Sequence, residues 1–157
     1  KEMRKATQKL KKNAHLFVWE DYKDVDHHEQ IRERSFQLFL KQYRKDAKKK
    51  QFIPGSLPFL PFQNETFSLV LCNHFLFLYQ EQFDYPFHLK AIHEMIRVTK
   101  KGGIIRIYPL VGFKDEEYPY LDQLLETLNS GTVVAKKIKT DFRFLPSATH
   151  FLSISRL

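Results

Sequence analysis

Residues 57–110 read LPFLPFQNETFSLVLCNHFLFLYQEQFDYPFHLKAIHEMIRVTKKGGIIRIYPL, and this stretch decides the fold. A nearly continuous apolar run from Phe67 to Tyr79 predicts a buried strand over Phe67–Leu78. A segment with helical periodicity follows from about Pro86, and a second apolar run extends from Ile104 to Leu110. Two short apolar runs separated by a helix indicate a βαβ unit, in which both strands lie parallel in a buried sheet.

The predicted connecting helix has one apolar face and two marked ends. Pro86 suits an early helical position, because the N–H that proline lacks has no partner there. The pair Gly102-Gly103 predicts the end of the helix, in conformations that glycine adopts easily. The spacing places on the buried face His88, Ala91, Ile92, Met95 and Ile96.

Three further helices are predicted outside this unit. Helical spacing covers residues 1–13, with Met3, Ala6 and Leu10 on one stripe, and returns over about 28–49 and Tyr118–Asn129. Asp26 is the expected N-cap of the second of these helices.

The chain closes on two predicted strands, Thr132–Phe144 and Thr149–Leu157. Because the connection at Pro146-Ser147 is too short for a crossover, these strands should form an antiparallel hairpin. Residues 51–57 also read as a short strand. The predicted fold class is therefore α/β, with parallel strands, flanking helices and a C-terminal antiparallel hairpin.

Composition indicates a globular protein. The chain has 157 residues, of which 43% are hydrophobic and 15% aromatic, which suits one domain with a sizeable core. No apolar run reaches the roughly 18 residues that span a bilayer, so no membrane association is predicted. The single cysteine, Cys72, excludes a disulfide framework, and a cytoplasmic location is expected.

The net charge of +8 is concentrated near the start of the chain. One interpretation is a basic surface for nucleic acid or another polyanion. The other is a pair of solvated helix faces, with Lys48-Lys49-Lys50 at a helix C-terminus whose dipole favours cations. The second is favoured, because no nucleic-acid-binding motif accompanies the charge.

Two motifs in the central stretch together resemble a known family. Leu60-Pro61-Phe62, an acidic and polar turn, and Phe67-Ser68-Leu69-Val70 are followed by Glu94-Met95-Ile96-Arg97-Val98 and, three residues later, Gly102-Gly103. Their order and separation resemble the passages before the fourth and fifth strands of class I S-adenosylmethionine-dependent methyltransferases. The resemblance runs from Lys1 to Leu157 and implies a single methyltransferase-like domain with a Rossmann-like sheet.

The sequence departs from this family in two ways. Ser68 stands where the family has an aspartate, and no glycine-rich cofactor loop of the G-x-G-x-x-G type occurs in the chain. Matched to the family, residues 1–13 would be the helix after the second strand. The resemblance thus implies an incomplete sheet that lacks its N-terminal strand-helix-strand. An upstream segment or an oligomeric partner would be needed to cover its centre.

The resemblance also implies a site at the carboxyl ends of the strands. Ser56 and Leu57 fall where the family contacts the adenine of S-adenosylmethionine, and Asn73, His74 and Phe75 where it borders the methionine part of that cofactor and the methyl acceptor. Tyr108 and Pro109 would line the pocket of a small-molecule methyl acceptor. No catalytic residue is assigned, because methyl transfer from a sulfonium depends mainly on alignment of the reactants.

Other chemistries find little support in the sequence. His93-Glu94 begins like a zincin helix, but Arg97 stands where the second zinc-binding histidine belongs, and no metal site is predicted. Glu94 and Arg97 are interpreted as a structural pair. Two functions stay open: a methyltransferase whose cofactor loop lies upstream of residue 1, and a non-catalytic methyltransferase-like binding protein with a basic surface.

Overall fold

The computed structural model describes residues 2–46 and 51–157, and it separates into two compact units. The first comprises Lys1–Pro54 with Phe144–Pro146, and the second comprises Gly55–Arg143 with Ser147–Leu157. The predicted cluster Lys48-Lys49-Lys50 and the side chain of Met3 lie outside what the structure describes. That residues 1–157 form a single domain stays a prediction. Within the described ranges, no helix is both long and apolar enough to cross a membrane.

The first unit is helical. Helix α1 covers Glu2–Lys12, a 3-10 turn covers Ala14–Leu16, and helix α2 covers Val25–Lys45. The prediction of Asp26 as the N-cap of α2 is wrong by two residues. The carboxylate of Asp24 accepts the bond from the backbone N–H of His27 at 2.7 Å, because Asp24 is the last residue with an extended backbone.

The second unit contains a four-stranded sheet in the order β1-β2-β4-β3. Its elements are β1 (Phe67–Asn73), α3 (Tyr85–Val98), β2 (Thr99–Tyr108), α4 (Leu121–Leu128), β3 (Val133–Lys139) and β4 (His150–Arg156). Strands β1 and β2 pair directly in parallel, and α3 connects them in the sequence, which confirms the predicted βαβ unit. Strands β3 and β4 pair antiparallel, which confirms the predicted hairpin, and β4 also pairs antiparallel with β2.

One face of the sheet carries the core. Ile105 and Ile107 of β2 are fully buried, as are Leu152 and Ile154 of β4, which lie opposite them in the antiparallel register. Alternation along β1 places Val70 and Cys72 on this same face, packed against the core. Helices α3 and α4 contribute to the same cluster the buried side chains Ala91, Ile92, Met95, Leu121, Leu124 and Leu128.

Several predicted elements differ from the structure. The predicted strand Thr132–Phe144 ends at Lys139. Strand β1 ends at Asn73, because His74 adopts a left-handed backbone with φ of 51°, and the apolar residues Leu76 and Phe77 then turn into the core. Helix α3 ends at Val98, before the glycine pair, and β2 begins at Thr99. Residues 51–57 form no strand; they contain only an isolated bridge between Ser56 and Phe59.

The glycine pair serves the sheet instead of the helix end. Opposite Phe67 and Leu69 the register on β2 jumps from Thr99 to Ile104, so the backbone around Gly102 and Gly103 bulges out of the ladder. Gly102 has φ of 73°, and a Cβ on Gly103 would lie 3.0 Å from the carbonyl oxygen of Ser68. One glycine supplies a backbone angle and the other supplies room for the neighbouring strand.

Candidate active site at the carboxyl edge of the parallel strands

The last residues of β1 and β2 meet at the carboxyl edge of the sheet. Asn73 is paired with Tyr108 in the parallel register, and the backbone N–H of His74 donates to the carbonyl of Tyr108 at 2.7 Å. The ring of His74 stands perpendicular to that of Tyr108, with centroids 5.5 Å apart. The structure therefore brings together three of the predicted site residues from two strands.

These residues differ in how far they face solvent. Asn73, His74 and Phe75 are exposed, and Tyr108 is half-buried. The hydroxyl of Tyr108 donates to the carbonyl of Phe142 at 3.4 Å, and the two rings lie 5.7 Å apart. Pro109 is buried, so it does not contribute to the exposed surface of this edge.

The electrostatics of this edge keep its ionisable groups neutral. Partial desolvation of the imidazole lowers the pKa of His74, which favours the uncharged ring at neutral pH. Burial raises the pKa of the Cys72 thiol, so this cysteine is not an activated nucleophile. A neutral imidazole and an exposed amide can exchange hydrogen bonds with a polar ligand, without attracting one by charge.

The other two predicted residues lie in a turn before β1. Leu57 is half-buried and packs against the core, whereas Ser56 is exposed and bridges locally to Phe59. Among the described residues, the Ser56 hydroxyl donates only to the carbonyl of Leu57, at 3.4 Å. The contacts described for Ser56 thus connect it to its own turn and not to Asn73 or His74.

Glu94 and Arg97 fasten this turn to helix α3. Arg97 donates two bonds of 2.7 Å to the Glu94 carboxylate and a third, also of 2.7 Å, to the side-chain carbonyl of Asn64. The backbone N–H of Leu60 donates to Glu94 at 2.6 Å, and the carbonyl of Leu60 accepts from Arg97 at 3.3 Å. Bonding to Arg97 lowers the pKa of Glu94. The two motifs behind the family resemblance therefore contact each other, and the pair is structural, as predicted.

The described residues fit only one side of a nucleoside cofactor site. Asn73 and His74 offer polar groups at the edge, but Ser56, on the adenine side, and Ser68 both lack the carboxylate that the family has at these positions. Gly102 and Gly103 lie at the opposite end of β2, beside Ser68, and cannot cradle a ligand at the carboxyl edge. Residues 2–46 and 51–157 thus do not make a complete site for S-adenosylmethionine. They also hold no cluster of three or more His, Cys, Asp or Glu arranged for a metal ion.

Sequence reasoning missed one feature next to this edge. The loops that follow β1 and β2 enclose a cleft of about 550 Å³, lined by Gln80, Glu81, Phe83, Asp84, Tyr85, Pro86, Glu116, Glu117, Tyr118, Pro119 and Tyr120. The only sequence signal was the density of tyrosine and acidic residues in two loops. Nothing in the sequence indicated that the two loops face each other.

Comparison with known proteins supports the family resemblance. Residues 34–107 match a family model described as a methyltransferase domain, and this range includes β1, α3 and nearly all of β2. The match confirms the resemblance to class I methyltransferases.

A curated relative shows how much longer such a chain can be. The sequence is 31% identical over 140 residues to a protein of Methanocaldococcus jannaschii that is named only as uncharacterized. The alignment covers 89% of this chain and 59% of that protein. The chain therefore spans about three fifths of the length of the curated relative that it matches.

Proposed function

We propose, from the premise that residues 34–107 carry a class I methyltransferase domain, that the complete protein methylates a small molecule with S-adenosylmethionine as donor. The observation that supports the proposal is the edge where Asn73, His74 and Tyr108 converge from two parallel strands of that domain. Ligands of sheets of this type bind outside the carboxyl ends of the strands.

The chain's own residues would hold the methionine part of the cofactor and orient the acceptor beside it. S-adenosylmethionine supplies an electrophilic methyl group on a sulfonium, so transfer depends chiefly on holding the acceptor in line with that group. Asn73 can donate and accept hydrogen bonds, and the neutral imidazole of His74 can accept one from an acceptor hydroxyl or amine. The half-buried ring of Tyr108, held by Phe142, gives this surface a fixed wall.

The unpaired edge of β1 supports the proposal that part of the cofactor site lies in a segment outside this chain. β1 is the outermost strand of the sheet formed by the described residues. Leu69 and Leu71 are 51% and 65% exposed on the face opposite the core. An unpaired strand edge flanked by exposed leucines is a template for association. We assign its cover, and the missing cofactor loop, to a segment of the complete protein outside residues 1–157.

Calorimetric titration of S-adenosylmethionine into two proteins tests the proposal. The 157-residue chain should bind weakly or not at all, and the complete gene product should bind. In the complete protein, Asn73→Ala should weaken binding about fivefold or more, since one hydrogen bond is lost. His93→Ala, an exposed histidine on α3, is the matched control and should bind as the wild type does.

The outcomes separate the competing functions. If neither protein binds the cofactor, the enzyme proposal fails, and a non-catalytic binding protein with the methyltransferase fold becomes the better account. If the 157-residue chain binds as tightly as the complete protein, the cofactor site does not depend on the missing loop. If binding requires a second copy of the chain, the cover of β1 is an oligomeric partner instead of an upstream segment.

A further inference from the structure

The cleft between the loops after β1 and β2 is a site for a ligand that carries a primary ammonium group, we infer, and this site does not depend on the proposed methyl transfer. One side, residues 80–86, comprises the end of the loop after β1 and the first two residues of α3, and the other side, residues 116–120, follows β2. The walls of the cleft combine three properties that together select such a cation: aromatic rings, an excess of carboxylates over cations, and acceptor oxygens without a hydrogen-bond donor among the described residues.

Three tyrosine rings form the aromatic wall. Tyr120 lies edge-to-face against both Tyr85 and Tyr118, with centroids 5.8 Å apart in each pair. Tyr85 is fixed by a 3.0 Å hydrogen bond between its hydroxyl and that of Thr127. Tyrosine faces attract cations through the ring quadrupole, and the attraction increases where water is excluded.

The carboxylates leave the cleft with net negative charge in a protein of net charge +8. Of its four acidic residues, Glu81 is paired with Lys114 and Glu117 with Lys137. Asp84 accepts a bond from the backbone N–H of Phe87 at 2.8 Å, and this bond does not neutralise its charge. The ion pairs found among the described residues include neither Asp84 nor Glu116.

Two buried oxygens in the cleft accept no hydrogen bond from the described residues. They are the hydroxyl of Tyr118, a residue only 3% exposed, and the side-chain carbonyl of Gln80. The amide nitrogen of Gln80 donates to the carbonyl of Glu116 at 3.1 Å. This bond identifies the amide oxygen of Gln80 as the atom without a partner among the described residues. Buried polar atoms normally have partners, so these two need a donor that the cleft itself does not supply.

Tyr118 is one of the residues that line the cleft. Burial, together with the smaller effects of the nearby Tyr85, Tyr120 and Asp84, raises the pKa of Tyr118 to about 12. All three of these residues line the cleft. A hydroxyl in this setting keeps its proton and presents its lone pairs to a ligand.

A primary ammonium satisfies all of these groups at once. It carries three N–H donors, the number needed for two unpaired oxygens and one carboxylate, and its positive charge complements the net negative walls. A quaternary ammonium would use the rings and the charge but leave both oxygens without a donor. A neutral alcohol would lose the attraction of the carboxylates.

A titration followed by heteronuclear NMR on the full 157-residue chain tests the inference. The probes are butylammonium, tetramethylammonium and the neutral 1-butanol, and the readout is the amide shifts of Tyr118 and Tyr120. Butylammonium should bind at least fivefold more tightly than 1-butanol. Nα-acetyl-lysine amide, whose amine is the lysine side chain, shows whether a lysine binds more tightly than butylammonium. Added salt should weaken butylammonium binding and leave 1-butanol unchanged.

Two variants separate the ligand role from a structural role. Tyr118→Phe should weaken butylammonium binding about fivefold, the worth of one hydrogen bond, while the free protein stays as stable as the wild type or more so, because an unpaired buried hydroxyl is removed. Asp84→Asn should weaken binding by a similar factor and keep the helix cap, since asparagine caps as well as aspartate does. Asp141→Asn changes the net charge equally outside the cleft and is the matched control.

The inference fails if 1-butanol binds as tightly as butylammonium, which would make the cleft an unspecific apolar groove. It also fails if Tyr118→Phe and Asp84→Asn bind butylammonium as the wild type and Asp141→Asn do. None of these readouts involves S-adenosylmethionine, so a failure here leaves the proposed function standing, and the reverse also holds.

Discussion

Replacing Gly103 by alanine should destabilise the second unit more than the same change at either Gly102 or Gly131. A Cβ at Gly103 would lie 2.7 Å from the methyl group of Thr99, 2.8 Å from the carbonyl oxygen of Lys100 and 3.0 Å from that of Ser68. Two of these three contacts are backbone atoms, and Thr99 is fully buried. None of them can move aside without disturbing the pairing of β1 with β2.

The structure ranks the expected losses of stability for alanine at Gly103, Gly102 and Gly131. Overpacking of this kind costs about 1–3 kcal/mol, and the rigid backbone neighbours place Gly103→Ala at the upper end. Gly102→Ala meets no atom within 4 Å but must keep φ at 73°, which costs about 1–2 kcal/mol. Gly131→Ala meets neither obstacle and should be neutral or stabilising by up to about 1 kcal/mol.

Urea unfolding followed by far-ultraviolet circular dichroism measures these differences. The single tryptophan, Trp19, belongs to the first unit, so its fluorescence would not report on the sheet. Amide hydrogen exchange at Leu69 and Ile104 locates the effect, and Gly103→Ala should accelerate it there. Equal stability of the Gly103 and Gly131 variants would refute the reasoning, because the close approach of Ser68 would then have no energetic consequence.

Three further outcomes are expected. Burial lowers the pKa of His88 below its ordinary value of 6.5, so the unfolded state takes up the proton first as the pH falls. The free energy of unfolding should then decrease by up to about 1.4 kcal/mol for each pH unit below that value. Denaturation curves at pH 7 and 5 should show a smaller decrease for His88→Gln. An equal decrease in the variant would contradict the assignment. Arg97→Lys cannot keep both bonds to Glu94 and the bond to Asn64, so limited proteolysis should cut residues 57–66 several-fold faster, whereas Lys90→Arg should have no effect. Leu71→Lys should reduce self-association of the 157-residue chain in light scattering without loss of helix or sheet signal, because Leu71 is 65% exposed at an open edge; persistent association would locate the contact elsewhere.

The sequence by itself determined the elements whose signals are local. The apolar run of β1, the stripe of α3 and the short connection before β4 predicted a βαβ unit and an antiparallel hairpin, and the strand pairings confirm both. These signals work because burial on one face of an element imposes its own period on the chain. The predicted buried face of α3 was likewise correct for His88, Ala91, Ile92 and Met95.

The candidate site was predictable only as a location. The family resemblance placed Asn73, His74 and Tyr108 at strand ends, whereas the apolar run alone put the first two inside a longer strand; parallel pairing brings these ends together. The resemblance could not show that Pro109 is buried or that the contacts described for Ser56 stay within its own turn. Whether an end residue faces a ligand or the core depends on neighbours distant in the sequence.

Only the tertiary structure decided what the glycine pair and the acidic loops are for. In the sequence, Gly102-Gly103 has the form of a helix stop, yet the helix ends at Val98 and the glycines serve the contact with Ser68 on another strand. The cleft that contains Tyr118 likewise joins two loops separated by α3 and β2. Local pattern determines which residues form an element, but the shape between elements arises from packing across long sequence separations, which no local signal records.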